Sequence, residues 1–151
     1  MNTKQRIELI LVLLMSLIIS SCGSHFVSAY DYPFQSTGIT VTTGDQIEFS
    51  ASGKWDCGLG RTDLNGNDEM EPNSPAPNAN LCALVGAIGV DTPNVGDGFF
   101  IGESNQITVT RSGTLYVGSN DNLGECVPGL PFSCYKDNKG TISVRISVKQ
   151  P

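Results

Sequence analysis

Apolar and polar residues alternate with a period of two along much of the chain. The longest example spans residues 142–148, where every second position is isoleucine or valine. Successive side chains of a β-strand point to opposite faces, so this pattern is typical of a strand with one face in a core and the other in water. The same alternation predicts strands at 39–42, 46–51, 106–109 and 115–117. Glycine-rich turn signals separate these segments.

Two other segments complete the prediction of fold class. The continuous apolar run 83–90 is expected to form a strand that is buried on both faces. Residues 61–80 show no alternation and are rich in turn formers, which predicts a long surface loop. Many short strands joined by such turns, with no helical period beyond the N-terminal segment, indicate an all-β protein. The expected architecture is a small antiparallel β-sandwich of the jelly-roll type.

The N-terminus has the form of an export signal. Basic residues precede an apolar run at 10–19, which is shorter than the roughly 20 residues that a membrane-spanning helix needs. The run ends in Ile19-Ser20-Ser21-Cys22, which resembles the bacterial lipobox. We therefore expect residues 1–21 to be a lipoprotein signal peptide, Cys22 to be the lipidated N-terminus, 22–34 to be a tether and 35–151 to be the folded domain.

A second cleavage site competes with the lipobox. Val27-Ser28-Ala29 has the small-residue pattern of ordinary signal cleavage, which would leave Tyr30 as the first residue. Both alternatives predict an exported protein. The first places it in the cell envelope, with membrane contact only through a lipid anchor, and the second predicts that it is secreted.

Cysteine usage also indicates an exported protein. The chain has five cysteines, and assigning Cys22 to lipid leaves an even set for disulfides. Cys126 and Cys134 bracket a turn-rich segment that can bring them together, so Cys57 and Cys82 are the default second pair. Four cysteines permit three pairings, and the sequence alone does not select one of them.

Charge and residue types reduce the range of activities. The net charge is −6 and no cluster of Lys or Arg is present, which argues against nucleic-acid binding. His25, the single histidine, lies outside the strand pattern, so nucleophilic catalysis would lack its usual base. Glu69 and Glu71 lie in a polar segment without the apolar neighbours that would raise the pKa of a catalytic acid. Trp55 and Tyr135 could stack on a sugar ring or pack in the core.

Oxygen-bearing side chains cluster at the two ends of one loop. Asn120, Asp121 and Asn122 stand before it, and Asp137 and Asn138 stand after it. Carboxylate and amide oxygens are the ligands that Ca²⁺ prefers, so the two clusters together predict a calcium site. Asn and Asp are also common in tight turns, which is the alternative explanation for either cluster taken alone.

The order of several segments resembles the PA-I-type galactophilic lectins, the calcium-dependent galactose-binding family of bacterial lectins. The matching segments are VTTGDQIEFSASG, LCALVGAIG, SGTLYVGSND and YKDNKGTISVRI. The resemblance spans roughly residues 35–148. It implies a small jelly-roll sandwich, galactose-binding-like in fold, in which one Ca²⁺ is shared by the protein and two hydroxyl groups of the sugar.

The resemblance also implies a set of metal ligands. Asp121 would supply a carboxylate, Asp137 would take the place of a family asparagine, and Asn138 would match a second asparagine. Backbone carbonyls would come from near Cys57 and Cys134. Of these groups, the Asp121 and Asp137 carboxylates would also accept hydrogen bonds from the sugar.

The chain departs from the family pattern around the sugar. By order, Glu71 and Ser74 stand where the family has a His and a Gln that hold the primary hydroxyl of the sugar. Together with Asn122, next to Asp121, they are candidate carbohydrate-binding residues. The loop between Asp121 and Asp137 is also longer than in the founding lectins and carries its own pair of cysteines.

The combined prediction is a calcium-dependent, non-catalytic module that binds a glycan containing galactose or a related sugar. One alternative is a structural or protein-interaction sandwich in which calcium only ties loops together. A less favoured alternative is a glycoside hydrolase.

Overall fold

The computed structural model describes residues 21–58, 60–130 and 133–151, which form two four-stranded sheets and one three-stranded sheet. Every pair of neighbouring strands is antiparallel. The strands in chain order are β1 Ser21–Ser28, β2 Gln35–Val41, β3 Gln46–Ser52, β4 Trp55–Cys57, β5 Arg61–Thr62, β6 Leu84–Gly89, β7 Phe99–Phe100, β8 Ser104–Thr108, β9 Gly113–Ser119, β10 Asn138–Lys139 and β11 Thr141–Lys149. Two short 3₁₀ helices, Leu123–Glu125 and Ser133–Tyr135, lie between β9 and β10.

The two larger sheets pack face to face as a sandwich. The first has the strand order β1-β11-β3-β8, and the second has the order β2-β9-β6-β7. The alternating apolar residues of both sheets meet in one buried cluster, which includes Ile47, Leu84, Leu115, Val144 and Ile146. This arrangement confirms the predicted all-β sandwich, and the strands predicted from alternation are present.

The three-stranded sheet, with the order β10-β4-β5, lies at one end of the sandwich. Its strand β4 follows β3 in the chain and its strand β10 precedes β11, and β3 and β11 are themselves paired. This small sheet therefore continues the β3–β11 pair beyond a break at 53–54 and 140. The break matters because it brings Asn138 opposite Cys57.

Strand β6 is buried on both faces, as its continuous apolar sequence predicts. Leu84 and Ile88 face the main core, whereas Val85 and Ala87 belong to a second cluster with Ala76 and other residues of the preceding loop. The predicted surface loop 61–80 is thus packed against the outer face of the second sheet. Small alanine side chains allow this close approach, so the loop is held in place and does not project freely into water.

The N-terminal segment differs from the expected tether. Residues 21–28 form β1, an edge strand that pairs with β11 along its whole length. Val27 and Ala29 are completely buried. The strand escapes detection by alternation because the apolar Phe26 points into water while the polar His25 lies on the partly buried face.

The predicted signal peptide falls almost entirely on residues 1–20, which lie outside the described part of the chain. Among the residues that are described, no helix is long and apolar enough to cross a membrane. Both predicted disulfides, Cys57–Cys82 and Cys126–Cys134, are formed. Two disulfides are typical of a protein that folds in an oxidising, extracytoplasmic compartment.

Candidate functional site

The end of β9 and the start of β10 bring Asp121 and Asn138 into contact. The Asn138 Nδ2 atom donates hydrogen bonds to Asp121 Oδ2 at 2.9 Å and to the Ala29 carbonyl oxygen at 3.0 Å. Asn138 is 3% exposed and Asp121 is 9% exposed, so the pair lies just beneath the surface. The two ends of the loop therefore meet, as the sequence prediction requires.

The second polar atom of the Asn138 side chain is left without a partner. Its Oδ1 atom is buried and accepts no hydrogen bond within the described residues. A buried polar group that lacks a partner costs about 1–3 kcal/mol, so such an atom in a native fold calls for an explanation. A cation that binds at this carbonyl oxygen would remove the cost.

The Asp121 carboxylate accepts a backbone hydrogen bond and lies near a buried tyrosine. Its Oδ1 atom accepts a hydrogen bond from the Asn122 amide at 2.8 Å. Tyr135 is completely buried and donates its hydroxyl to the Ser119 carbonyl at 3.0 Å. Burial raises the pKa of Tyr135 well above its usual value, and the negative charge of Asp121 raises it further. Tyr135 therefore stays neutral beneath the carboxylate.

Asp137 approaches the same region through a glycine. Gly58 follows β4 directly and has a φ of +80°, in the left-handed region that favours glycine. A Cβ atom at this position would collide with the Asp137 Oδ2 atom. Gly58 thus makes room for the carboxylate next to Cys57, the residue that faces Asn138. Cys134, whose carbonyl is a further predicted ligand, lies in the 3₁₀ helix three residues before Asp137.

The side chains of Asn120 and Asn122, on either side of Asp121, form hydrogen bonds with backbone groups of the protein. Asn120 is completely buried, and its side chain bonds the Ala76 amide and the carbonyls of Ala76, Ala79 and Asn80. It therefore anchors the long loop and offers no oxygen to a ligand. The Asn122 Oδ1 atom accepts a hydrogen bond from the Gly124 amide at 2.8 Å and caps the first 3₁₀ helix. The local turn explanation thus fits Asn122, whereas Asn120 makes long-range contacts.

Several residues that were candidates for sugar contact on the basis of the sequence are buried. Ser74 is completely buried, and its Oγ atom has no hydrogen-bond partner within the described residues, so its contact with a sugar stays a prediction. Trp55 and Tyr135 are also buried, and neither ring is available for stacking. The Trp55 Nε1 atom donates to the Cys82 carbonyl at 2.7 Å. Glu71 is partly exposed, with one oxygen accepting from the Asn73 amide at 3.2 Å.

A groove opens beside the loop that follows Asp121. Its volume is about 470 Å³. It is lined by Tyr32, Pro72, Asn73, Val95, Gly96, Leu123, Gly124 and Cys126. Tyr32 is partly exposed and packs edge-on against Tyr135, with ring centres 5.2 Å apart. The sequence did not indicate Tyr32 as a residue near the site, since it lies in the segment 22–34 that was expected to be a tether.

The donor set fits a hard cation. Within the described ranges, no three side chains of His, Cys, Asp or Glu converge, which is the arrangement that a zinc site would require. The donors here are instead a carboxylate, an amide oxygen that lacks a partner, a second carboxylate nearby and backbone carbonyls. Calcium accepts this mixture of oxygen ligands.

One solved structure with this fold is a lectin. The N-terminal domain of EclA, described as a PllA-like lectin, superposes with a TM-score of 0.60, covering 87% of this chain and 98% of that domain. The chain has the fold of a PllA-like lectin. Sequence identity over the match is 21%, so the likeness establishes the fold. No family model and no curated protein matches the sequence.

The PllA-like lectin fold accounts for nearly all of the described chain. It agrees with the resemblance inferred from the sequence.

Proposed function

We propose that this protein is an exported, calcium-dependent carbohydrate-binding domain without catalytic activity. The observation that carries the proposal is the buried Oδ1 atom of Asn138, which has no hydrogen-bond partner in the described chain and lies in the side chain that bonds Asp121. The lectin fold supports a glycan as the ligand.

Asp121, Asp137 and Asn138 would hold the metal, together with the carbonyls of Cys57 and Cys134. When bound, Ca²⁺ supplies open coordination positions that hydroxyl groups of a sugar can occupy. Two carboxylates balance the charge of the divalent ion, and the neutral donors complete the shell without excess negative charge. The same carboxylates can accept hydrogen bonds from the sugar hydroxyls and so fix its orientation.

We propose galactose or a related sugar as the preferred ligand, following the resemblance of the sequence to galactophilic lectins. Because Glu71 and Ser74 stand where that family has a His and a Gln, the contacts to the primary hydroxyl would differ from those of the family. The groove lined by Tyr32 and Leu123 offers space for further sugar units beside Asp121. A glycan array that is probed with calcium and again with chelator would identify the ligand.

Replacement of Asp121 tests the shared site. The Asp121→Ala variant should lose calcium binding and sugar binding together, because it removes the most buried carboxylate of the set. Charge-assisted hydrogen bonds contribute roughly 1.5–3 kcal/mol, so the sugar affinity should fall at least about tenfold. Titration calorimetry measures both ligands in each variant.

Asp91→Ala is the matched control. Asp91 is exposed and follows the far end of β6, away from Ser119 and the site. This variant should bind both ligands like the unmodified protein. If the unmodified protein binds the sugar equally well in chelator, the shared-site mechanism is wrong. Calcium binding that is insensitive to every sugar would instead favour a structural ion, because coupling between two ligands must be reciprocal.

We also propose that Cys22 carries the lipid anchor of a cell-envelope protein. The support is the lipobox-like sequence at 19–22, together with the two disulfides expected of an exported protein. The intact mass of the native protein, and its partition with membranes, would test this assignment.

A further inference from the structure

The carbonyl group of Ala29 lies where the N-terminal strand reaches the candidate site. It accepts two side-chain hydrogen bonds, from Ser119 Oγ at 3.0 Å and from Asn138 Nδ2 at 3.0 Å. The Ala29 amide donates to the Gly140 carbonyl, also at 3.0 Å. Ala29 is completely buried, so these bonds are shielded from water. The end of β1 is thus tied to both segments that form the site.

The bond to Ala29 determines which way the Asn138 amide faces. The Nδ2 atom carries two hydrogens, one directed to Ala29 and the other to Asp121. The Oδ1 atom must then point away from both acceptors, which leaves it without a hydrogen-bond partner. In the flipped orientation, Oδ1 would face the carbonyl and carboxylate oxygens and no hydrogen would lie between them. The Ala29 carbonyl, together with the Asp121 carboxylate, therefore selects the orientation in which Oδ1 is available to a cation.

The rest of β1 holds Ala29 in place. The strand pairs with β11 over eight residues, from Ser21 opposite Val148 to Ser28 opposite Thr141. Val27 packs in the main core with no exposed surface. Loss of β1 would expose this part of the core, turn β11 into an edge strand and remove the acceptor for Asn138 Nδ2.

We propose that β1 is a functional part of the binding site, in which the backbone carbonyl of Ala29 is a positioning group that orients Asn138. The active protein must then retain residues 22–29, and cleavage after Ala29 would abolish binding. This inference rests on the proposed function and adds to it a requirement on how the chain is processed.

A backbone substitution tests the positioning role without removing the strand. Incorporating the α-hydroxy acid of tyrosine at position 30 converts the Ala29–Tyr30 amide into an ester, whose carbonyl is a weaker acceptor. All side chains, including the buried Val27, remain in place. We expect the folded variant to bind calcium roughly fivefold more weakly, as the loss of one hydrogen bond implies.

The orientation of Asn138 has its own readout in the metal-free protein. Nuclear magnetic resonance should show both Asn138 side-chain amide protons in hydrogen bonds and slowly exchanging in chelator. In the ester variant the proton directed to Ala29 should move upfield and exchange faster. A destabilised but correctly oriented site would not show this selective change.

Two controls separate positioning from general stability. The ester lacks the Tyr30 N–H group, which donates an exposed 3.2 Å hydrogen bond to Ser28 Oγ. Ser28→Ala removes the same hydrogen bond from the acceptor side. This variant should keep its calcium affinity. Val109→Ala creates a core cavity at the opposite end of the sandwich, where Thr108 pairs with Gln46, and should lower the melting temperature while the folded protein keeps its calcium affinity. Wild-type calcium affinity and unchanged Asn138 resonances in the ester variant would overturn the proposal.

The native protein provides the test of processing. The species that binds calcium should have an intact mass that includes residues 22–29. A native, calcium-binding protein that begins at Tyr30 would refute the requirement for β1. If the unmodified protein binds no calcium, the proposed function fails, whereas the Asn138 resonances still report whether Ala29 orients the amide.

Discussion

At the residue scale, the candidate site depends on atoms that contribute no ligand. Gly58 leaves space for the Asp137 carboxylate, and Tyr135 is completely buried near Asp121, whose charge raises the pKa of the tyrosine. Neither residue presents a polar side-chain atom to a ligand. A substitution at Gly58 should nevertheless alter metal binding, because it would move the Asp137 carboxylate.

Gly58→Ala should weaken calcium binding. The new methyl group would displace the Asp137 carboxylate, and the positive φ adds a backbone cost of about 1 kcal/mol. Gly60→Ala is a matched control, since Gly60 also has a positive φ but no atom near its Cβ position. Both variants should lose similar stability in urea denaturation, and only Gly58→Ala should lose calcium affinity in calorimetry. Equal calcium affinities would show that Asp137 is not a ligand.

Tyr135 should make the protein sensitive to alkaline pH. Its pKa is raised in the folded state by burial and by the charge of Asp121, so the folded protein holds this proton more tightly than the unfolded chain. The contribution is fully present below the unfolded pKa of about 10 and is lost as the pH rises above it. Urea denaturation at a series of pH values should show a smaller alkaline loss for Tyr135→Phe. Parallel losses in the two proteins would contradict this account.

The meeting of the two ends of the loop could be predicted from the sequence better than its surroundings. Oxygen-bearing side chains stand at both ends, and Asn138 contacts Asp121 in the structure. That these residues hold a metal stays a prediction. The burial of Ser74 and Trp55 could not be predicted, since serine and tryptophan occur both at protein surfaces and in cores. In the structure, tertiary packing buries both side chains. The contact between Ala29 and Asn138 could not be predicted from the sequence, because it is made by a backbone carbonyl, which every residue has.

At the scale of elements, the long loop 61–80 acts as a cover for the second sheet. One side chain from the opposite segment, Asn120, holds it through one accepted and three donated hydrogen bonds. The same residue directly precedes Asp121, so the loop and the site are coupled through two adjacent positions.

Asn120→Ala should release this cover. Several buried backbone groups of the loop would lose their partner, and the protein should be destabilised by about 3 kcal/mol. Asn78→Ala serves as the control, since Asn78 is an exposed residue of the same loop. Hydrogen exchange should accelerate at residues 76–80 in the first variant and remain unchanged in the second. A loss of stability below about 0.5 kcal/mol would show that the loop is held by its apolar contacts alone.

Elements could be predicted where burial follows the pattern of the sequence. Strand β11 alternates strictly and β6 is continuously apolar, and both are found where expected. Strand β1 has the opposite pattern, with Phe26 exposed and His25 partly buried, so its pairing with β11 outweighs its local signal. Strands β5, β7 and β10 have only two residues each, which is too short for any periodicity to appear.

At the scale of the whole molecule, the direction of β1 separates the N-terminus from the site. Cys22 pairs with Ser147 near the end of β11, whereas Ser28 pairs with Thr141 at its start. A strand advances about 3.4 Å per residue, so Cys22 and Ala29 are roughly 24 Å apart. The two ends of one short strand therefore mark opposite ends of the sandwich.

Vesicle experiments can test the consequence for an anchored protein. A protein coupled to lipid through Cys22 should still capture glycan-coated beads, because the site would face outward. A second form, with Cys22→Ser and coupled through Asp31→Cys, would turn the site end toward the bilayer, since Asp31 is an exposed residue just beyond Ala29. The second form should capture far fewer beads at equal density. Equal capture would mean that the anchor does not orient the domain.

If Cys22 carries a lipid and the site binds a glycan, as proposed, the polarity of β1 also determines which surfaces the site can reach. With a lipid at Cys22 and the strand already part of the fold from its first residues, almost no flexible stalk remains between membrane and domain. Such a domain cannot bend back to engage glycans on the surface that carries it. It would bind in trans, to glycans on a neighbouring cell or to free polysaccharide. The direction of one edge strand would thereby determine whether the protein binds other surfaces or the one to which it is anchored.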